Sequence, residues 1–127
     1  MIRPSEEHPG PIQLKRIYVP ASPEDGYRIL VDRLWPRGIP KQEAAIDEWM
    51  KGIAPSPELR KWFGHLPERF PSFSDSYIRE LEEDPEHGRL AAKISELVLE
   101  QQVTLVYAAK DPVYNHANVL YKWLLSR

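Results

Sequence analysis

The order of apolar and polar residues predicts short strands early and late in the chain, with helices between them. Residues 14–19 alternate apolar and polar side chains, and residues 27–31 form a second apolar segment after a dense turn cluster. Residues 103–109 are nearly continuously apolar, which is typical of a strand buried on both faces. We therefore expect this last strand to be central in the sheet.

Three helices are predicted between residues 56 and 98. The first starts at Ser56, with a hydroxyl cap and proline at the first helical position, and stops at Gly64. The second carries an apolar stripe from residue 70 to 81, and Pro71 must either start it or kink it. The third has the cleanest stripe, residues 90–98, and is introduced by Asp84 followed by proline.

The remaining segments have weaker patterns. Residues 41–45 predict a brief helix, and residues 46–53 an extended segment. A last helix is predicted after residue 110, with Asp111 as its cap, Pro112 in its first position, and Val113 among its inward-facing residues.

Together these elements predict the α/β class. We expect a single compact domain over residues 14–127, with a three- to four-stranded, mostly parallel, open Rossmann-like sheet flanked by helices. Residues 1–13 are rich in proline and polar residues and lack periodicity, so they are predicted to form a mobile tail.

Composition narrows the classes of function. The chain has 127 residues, enough for one domain, and its net charge of -2 gives no overall attraction to nucleic acid or anionic lipid. It has no cysteine and no apolar run long enough to span a membrane, so we expect a cytoplasmic protein without membrane association. The four histidines show no paired metal-ligand spacing, and no glycine-rich phosphate loop is present. We accordingly predict no metal and no cofactor.

Two polar clusters each follow a predicted strand: residues 32–38 and residues 110–116. In open α/β sheets, ligands bind beyond the carboxyl ends of the strands. If the two strands are parallel neighbours, both clusters meet at one edge of the sheet and form a site.

The first cluster contains two arginines that can bind an anion and one tryptophan ring. Arg33 and Arg37 can bind phosphate or carboxylate through their planar guanidinium groups. Alternatively, Arg33 pairs with Asp32 or another acid, and Arg37 braces the turn at Gly38. Trp35 can stack on a base or sugar, although buried tryptophans more often belong to the core.

The second cluster offers a cation and a titratable ring. Lys110 can hold an anion, Asp111 and Asn115 can bind a ligand or serve the helix, and His116 is the candidate general acid or base. The competing interpretation is that His116 is a structural histidine hydrogen-bonded to a neighbour.

Three separated runs resemble the domain of unknown function 488 family, in its YeaO-like branch. They are residues 26–38, residues 54–65 and the segment Tyr107-Ala108-Ala109-Lys110-Asp111 with Asn115-His116-Ala117. The resemblance spans nearly everything from residue 14 to residue 125. It implies a bacterial or archaeal single-domain α/β protein and assigns no activity.

Two functions remain open at this point. The first is binding or processing of a small anionic ligand, phosphate- or nucleotide-like, at the strand-end site. The second is a non-catalytic module that binds nucleic acid or protein, for which the net charge gives no support. The sequence predicts neither an oligomeric state nor whether the protein is an enzyme.

Overall fold

A computed structural model describes residues 11–127 and confirms the predicted class. Four strands form one open, all-parallel sheet in the order β1-β4-β2-β3. They are β1 (Ile12–Arg16), β2 (Tyr27–Leu30), β3 (Glu48–Trp49) and β4 (Val103–Tyr107). The predicted mobile tail falls mostly on residues 1–10, which lie outside the described part of the chain.

Five α-helices accompany the sheet. They are α1 (Lys41–Ala44), α2 (Pro57–Phe63), α3 (Phe70–Glu83), α4 (Pro85–Glu100) and α5 (His116–Leu125). Short 3-10 turns lie at Pro23–Asp25, Lys51–Ile53 and Pro67–Arg69. No helix of residues 11–127 is long and apolar enough to cross a membrane.

The start and stop signals of α2 and the start signal of α4 were predicted correctly. Ser56 caps α2 by accepting a hydrogen bond from the amide of Leu59, and Gly64 ends the helix with a positive φ of 53°. Asp84 caps α4 in the same way. Pro71 lies in the first turn of α3, where no intrahelical amide is needed, so it starts the helix rather than kinking it.

Other boundaries differ from the predictions. β1 begins two residues before the predicted start, at Ile12, and ends at Arg16. The segment predicted to be extended from 46 to 53 contains only the two-residue β3 followed by a 3-10 turn. This segment pairs with β2 on one side only, so few ladder bonds hold it extended.

β4 is central, as predicted, and all five of its residues are buried. Alternate side chains of β2 and β4, including Ile29 and Leu105, join the main core with the apolar stripes of α2 to α5. The opposite face carries a smaller cluster, in which Leu30 and Val106 contact Ala44, Trp35 and Trp49. The main core therefore lies between the sheet and the four longer helices.

Candidate functional site

The two polar clusters meet, because β2 and β4 are parallel neighbours. Ile29 pairs with Leu105 and Leu30 with Val106. Both strands therefore end at the same edge of the sheet, where a cavity of about 620 Å³ opens. Its lining includes residues 32–37 after β2 and residues 108–111, 115 and 116 after β4. The predicted juxtaposition is confirmed.

The cavity has an apolar wall and a charged rim. Phe63 of α2 and Phe73 of α3 stack with their ring centroids 4.2 Å apart and form part of the apolar wall. Four permanently charged cations line the same cavity, against two carboxylates. These six residues are Arg33, Arg37, Arg60, Lys110, Asp32 and Asp111.

Asp32 and His116 form the polar floor of the cavity. Nε2 of His116 lies 3.0 Å from the carbonyl oxygen of Val31 and 3.3 Å from Oδ1 of Asp32. Both neighbours are acceptors, so Nε2 carries a proton, which it donates to the carbonyl oxygen of Val31. The other carboxylate oxygen of Asp32 accepts a hydrogen bond of 3.0 Å from the amide of Ala108.

Burial sets the electrostatics of this pair. Desolvation raises the pKa of Asp32, opposed by the nearby His116 ring and the Ala108 amide. Desolvation lowers the pKa of His116, opposed by the charge of Asp32. Each group is thus pushed towards its neutral form, since burial penalises a charge with few partners. His65 and Arg60 are close enough to act on both groups.

Arg33 braces the cavity wall, and within residues 11–127 it pairs with no acid. Its guanidinium donates to the carbonyl oxygens of Ala54 at 3.2 Å and Pro55 at 3.1 Å. The suggested pairing with Asp32 is therefore wrong. Arg33 still lines the cavity and contributes its positive charge to it.

Arg37 and Lys110 are the two most accessible of the cations that the sequence predicted for the site. Both side chains are exposed, and within residues 11–127 neither has a hydrogen-bonding or ion-pair partner. Trp35 differs, because its indole N–H donates to the carbonyl of Ile39 at 2.7 Å and its ring meets Trp49 edge-on at 5.4 Å. Trp35 thus belongs partly to the second core cluster and partly to the cavity.

The start of α5 differs from the prediction. Asn115, not Asp111, is the cap: its side chain accepts from the amide of Asn118 at 2.8 Å, and His116 is the first helical residue. Asp111 instead accepts from the amides of Val113 and Tyr114, closing a turn before the helix. The prediction that Val113 faces inward is also wrong, since Val113 is 50% exposed.

Side chains from α3 and α4 hold the segment after β3, which forms one wall of the cavity. The hydroxyl of Tyr77 donates to the carbonyl of Ile53 at 2.6 Å, and Nε2 of His87 lies 2.9 Å from the carbonyl of Ala54. The hydroxyl of Ser56 donates to Glu80 at 2.7 Å. Because consecutive backbone groups are fixed in this way, the wall is rigid.

Sequence reasoning missed Arg60 and His65 as lining residues and did not choose Asp32 as a site residue. Asp32 was included in the first polar cluster, but the only role suggested for its carboxyl group was pairing with Arg33. Its position directly after a strand was the available signal, because that position lies at the carboxyl edge. Arg60 and His65 come from α2 and the turn after it, and no local pattern indicates that this end of α2 faces the cavity. Within residues 11–127, no cluster of three or more metal-ligating side chains is placed to hold a metal ion.

Comparison with known proteins gives one family and several relatives. The family model described as the inactive DUF488-N3 subclade matches residues 11–127. The uncharacterized protein YeaO of Escherichia coli K12 is 48% identical over 115 residues, covering 91% of this chain and 97% of YeaO. The uncharacterized protein Rv3073c of Mycobacterium tuberculosis H37Rv is 39% identical over 116 residues, covering 91% and 95% of the two chains. No solved structure matches the chain.

Proposed function

The chain belongs to the DUF488 family, in the subclade described as inactive DUF488-N3, and on that premise we propose that its carboxyl-edge cavity binds a small organic anion without converting it. The anion is phosphate- or nucleotide-like. Its charged group lies against the cationic rim and its apolar body against the phenylalanine wall.

The observation that carries this proposal is the excess of fixed positive charge in the concavity. It is lined by four cationic side chains: Arg33, Arg37, Arg60 and Lys110. The whole chain has a net charge of -2, so this local excess runs against the overall balance. Clefts lined by one sign of charge concentrate ligands of the opposite sign.

The size and wall of the cavity favour an anion with an apolar body over a bare inorganic ion. A volume of about 620 Å³ lies within the usual range for small-molecule sites. Inorganic phosphate alone gains no favourable contact with the apolar wall, which consists of Phe63, Phe73 and Pro55. A nucleoside monophosphate or an aryl phosphate uses both parts of the lining.

Binding without conversion is supported by the subclade description and by the floor of the cavity. Nε2 of His116 is occupied by the carbonyl oxygen of Val31 and lies 3.3 Å from Oδ1 of Asp32, so that nitrogen is committed within the fold. In this proposal His116 holds the floor in place, and its earlier candidacy as a general acid or base is not needed.

The test is a thermal-shift screen of the full chain, followed by calorimetry. The ligands are nucleoside monophosphates, sugar phosphates, phenyl phosphate, inorganic phosphate and the uncharged nucleosides. A ligand at about one hundred times its dissociation constant adds roughly 2.7 kcal/mol, a shift of several degrees for a domain of this size. We expect shifts with phosphorylated compounds that have an apolar body, and none with nucleosides.

Alanine substitutions test whether the ligand binds in this cavity. Arg37→Ala and Lys110→Ala should each weaken binding about tenfold, as expected for loss of a charge-assisted contact. Lys122→Ala is the matched control, because Lys122 lies in the last turn of α5, away from the cavity. Equal loss in all three variants, or no shift with any anion, would refute the proposal. Release of inorganic phosphate during incubation would refute the absence of conversion.

A further inference from the structure

Cations paired with aromatic rings lie on both sides of the cavity along the carboxyl edge of the sheet. We call these residues the basic-aromatic strip, and its members are Arg16, Tyr18, Trp35, Arg37, Lys41, Trp49 and Lys51. Only Trp35 and Arg37 of this strip line the cavity. The other members extend the positive surface beyond the space that a small ligand occupies.

On the β1 side, the strip begins where β1 ends. The guanidinium carbon of Arg16 lies 4.5 Å from the centroid of the Tyr18 ring. Nε of Arg16 donates to the carbonyl of Ala109 in the cavity lining at 3.0 Å. The hydroxyl of Tyr18 donates to the carbonyl of Arg37 at 3.1 Å. Tyr18 is therefore a fixed ring beside the cavity, and it is 45% exposed.

On the β3 side, two lysine side chains lie over tryptophan rings. Nζ of Lys41 lies 5.8 Å from the Trp35 ring, and Nζ of Lys51 lies 4.7 Å from the Trp49 ring. The Trp49 indole N–H donates to the carbonyl of Asp32 at 2.7 Å, so this ring is held in place. Both lysines are exposed at the surface.

Three acidic residues, Glu43, Asp47 and Glu48, lie near the strip on the β3 side, and within residues 11–127 none of them forms an ion pair with a cation of the strip. Asp47 accepts a hydrogen bond from the amide of Arg28 at 2.8 Å, and Glu48 pairs with Lys93 of α4 at 2.9 Å. Acidic residues are concentrated elsewhere, since residues 70–102 hold eight acidic and three basic side chains. The molecule is therefore polarised: the helices α3 and α4 carry the negative charge, and the carboxyl edge is positive.

We propose that the basic-aromatic strip binds single-stranded nucleic acid. The phosphates of the strand contact the line of cations, and an unpaired base stacks on the exposed ring of Tyr18. A surface that alternates cations with aromatic rings suits an unpaired strand. Each unpaired base has a flat face that can stack on a ring, and the phosphates of the strand can contact the cations. A duplex buries its bases and offers only phosphates to such a surface.

This inference goes beyond the cavity ligand and can fail separately from it. Tyr18, Lys41 and Lys51 do not line the cavity. Substituting them therefore changes strand binding while leaving binding of a nucleoside monophosphate intact.

The experiment measures fluorescence anisotropy of a labelled twelve-nucleotide single strand of mixed sequence, as DNA and as RNA, with the full chain. Titrations at several salt concentrations give the number of phosphates that the protein contacts. For a single strand, a plot of the logarithm of the binding constant against the logarithm of the salt concentration has a slope of about -0.7 per phosphate contact. We expect binding at low salt, a slope that corresponds to about three or more contacts, and weaker binding of the matched duplex.

The variants separate charge from stacking. Lys41→Ala and Lys51→Ala should each reduce the slope by about one phosphate contact and the affinity severalfold. Tyr18→Ala should weaken binding about tenfold, while Tyr18→Phe, which keeps the ring, should stay within about twofold of the natural protein. Lys122→Ala, at the opposite end of α5, is the control and should bind normally.

Three results of the nucleic-acid titrations would overturn the inference. They are the absence of binding to either strand at low salt, equal binding of the duplex, and binding that none of the strip variants changes. Equal competition by an acidic peptide of the same charge would also overturn it, because it would show that the surface selects charge alone.

Discussion

Oδ1 of Asp32 lies 3.3 Å from Nε2 of His116 and is the one side-chain polar atom of residues 11–127 that is fully buried without a hydrogen bond. The geometry is too poor for a full hydrogen bond, because the proton on Nε2 is directed to the carbonyl of Val31. A carboxylate in this position is poorly compensated when it is charged. This relationship determines how stability and ligand binding depend on pH.

Asp32→Asn should stabilise the protein at neutral pH. Burial raises the pKa of Asp32, so the folded state binds its proton more tightly than the unfolded state does. The carboxyl group therefore opposes folding once it is ionised, and this penalty disappears as the pH falls below the raised pKa. We expect a gain of roughly 1 kcal/mol at pH 7 that shrinks towards pH 4. Chemical unfolding at several pH values measures it, and Asp75→Asn, on the exposed side of α3, is the control. A loss of stability at pH 7 would contradict the expected penalty.

Anion binding in the cavity should strengthen as the pH falls. An anion placed beside ionised Asp32 is repelled, and a proton taken up by the Asp32 and His116 pair removes that repulsion. Burial lowers the pKa of His116, so the pair gains its proton only on the acidic side of neutrality. Phenyl sulfate is a suitable probe, because its own charge is constant in this range. Its affinity should increase roughly threefold or more from about pH 7.5 to about pH 5.5. Asp32→Asn should flatten this dependence, and an unchanged slope would exclude the pair as its source.

Tyr77→Phe should destabilise the protein and loosen the cavity wall. The lost hydroxyl leaves the buried carbonyl of Ile53 without its donor, which costs about 1 to 3 kcal/mol. Urea unfolding gives the global effect, and amide exchange of residues 53–56 reports on the wall. Tyr121→Phe is the control, since within the described chain the Tyr121 hydroxyl has no hydrogen-bond partner. Equal effects of the two substitutions would show that the hydroxyl bond is unimportant.

Gly26→Ala should be much more damaging than Gly38→Ala. Both glycines have positive φ, 64° and 77°, so both substitutions introduce backbone strain, and the ψ of -131° places Gly26 outside the left-handed helical region that other residues can adopt. At Gly26 a Cβ would also lie 2.2 Å from the carbonyl oxygen of Gln102, whereas at Gly38 it would have open space. Since Gly26 precedes β2 and Gln102 precedes β4, the collision would separate the two central strands. The difference in melting temperature measures this contact, and equal melting temperatures would contradict the close approach.

Much of the fold was predictable because its local signals agree. Ser56, Gly64 and Asp84 mark helix ends through capping side chains or a left-handed backbone conformation, signals that can be recognised from the local sequence. The apolar run of β4 indicated a central strand, and that position makes β2 and β4 neighbours. The meeting of the two polar clusters followed from this arrangement.

The start of α5 was not predictable from local chemistry. Asp111 followed by Pro112 and Asn115 followed by His116 are both acceptable helix starts. The burial of Asn115, which is 2% exposed, favours the second start, and burial depends on the packing of α5 against the sheet. The hydrogen bonds of Arg33 were also not predictable from neighbouring residues, because the accepting backbone carbonyls lie more than twenty residues away in the sequence.

The strand order also constrains how the chain is made and folds. β4 lies between β1 and β2, and Ile12 pairs with Val103 across most of the sequence. Sheets built from such distant partners fold slowly, since a long loop must close before the contacts form. During synthesis β1 therefore waits unpaired, and β2 has only the two-residue β3 as a partner, until residues 103–107 have left the ribosome. A nascent chain that stalls before Val103 has no central strand and exposes apolar strand edges, so it is prone to aggregation and a target for chaperones and proteases.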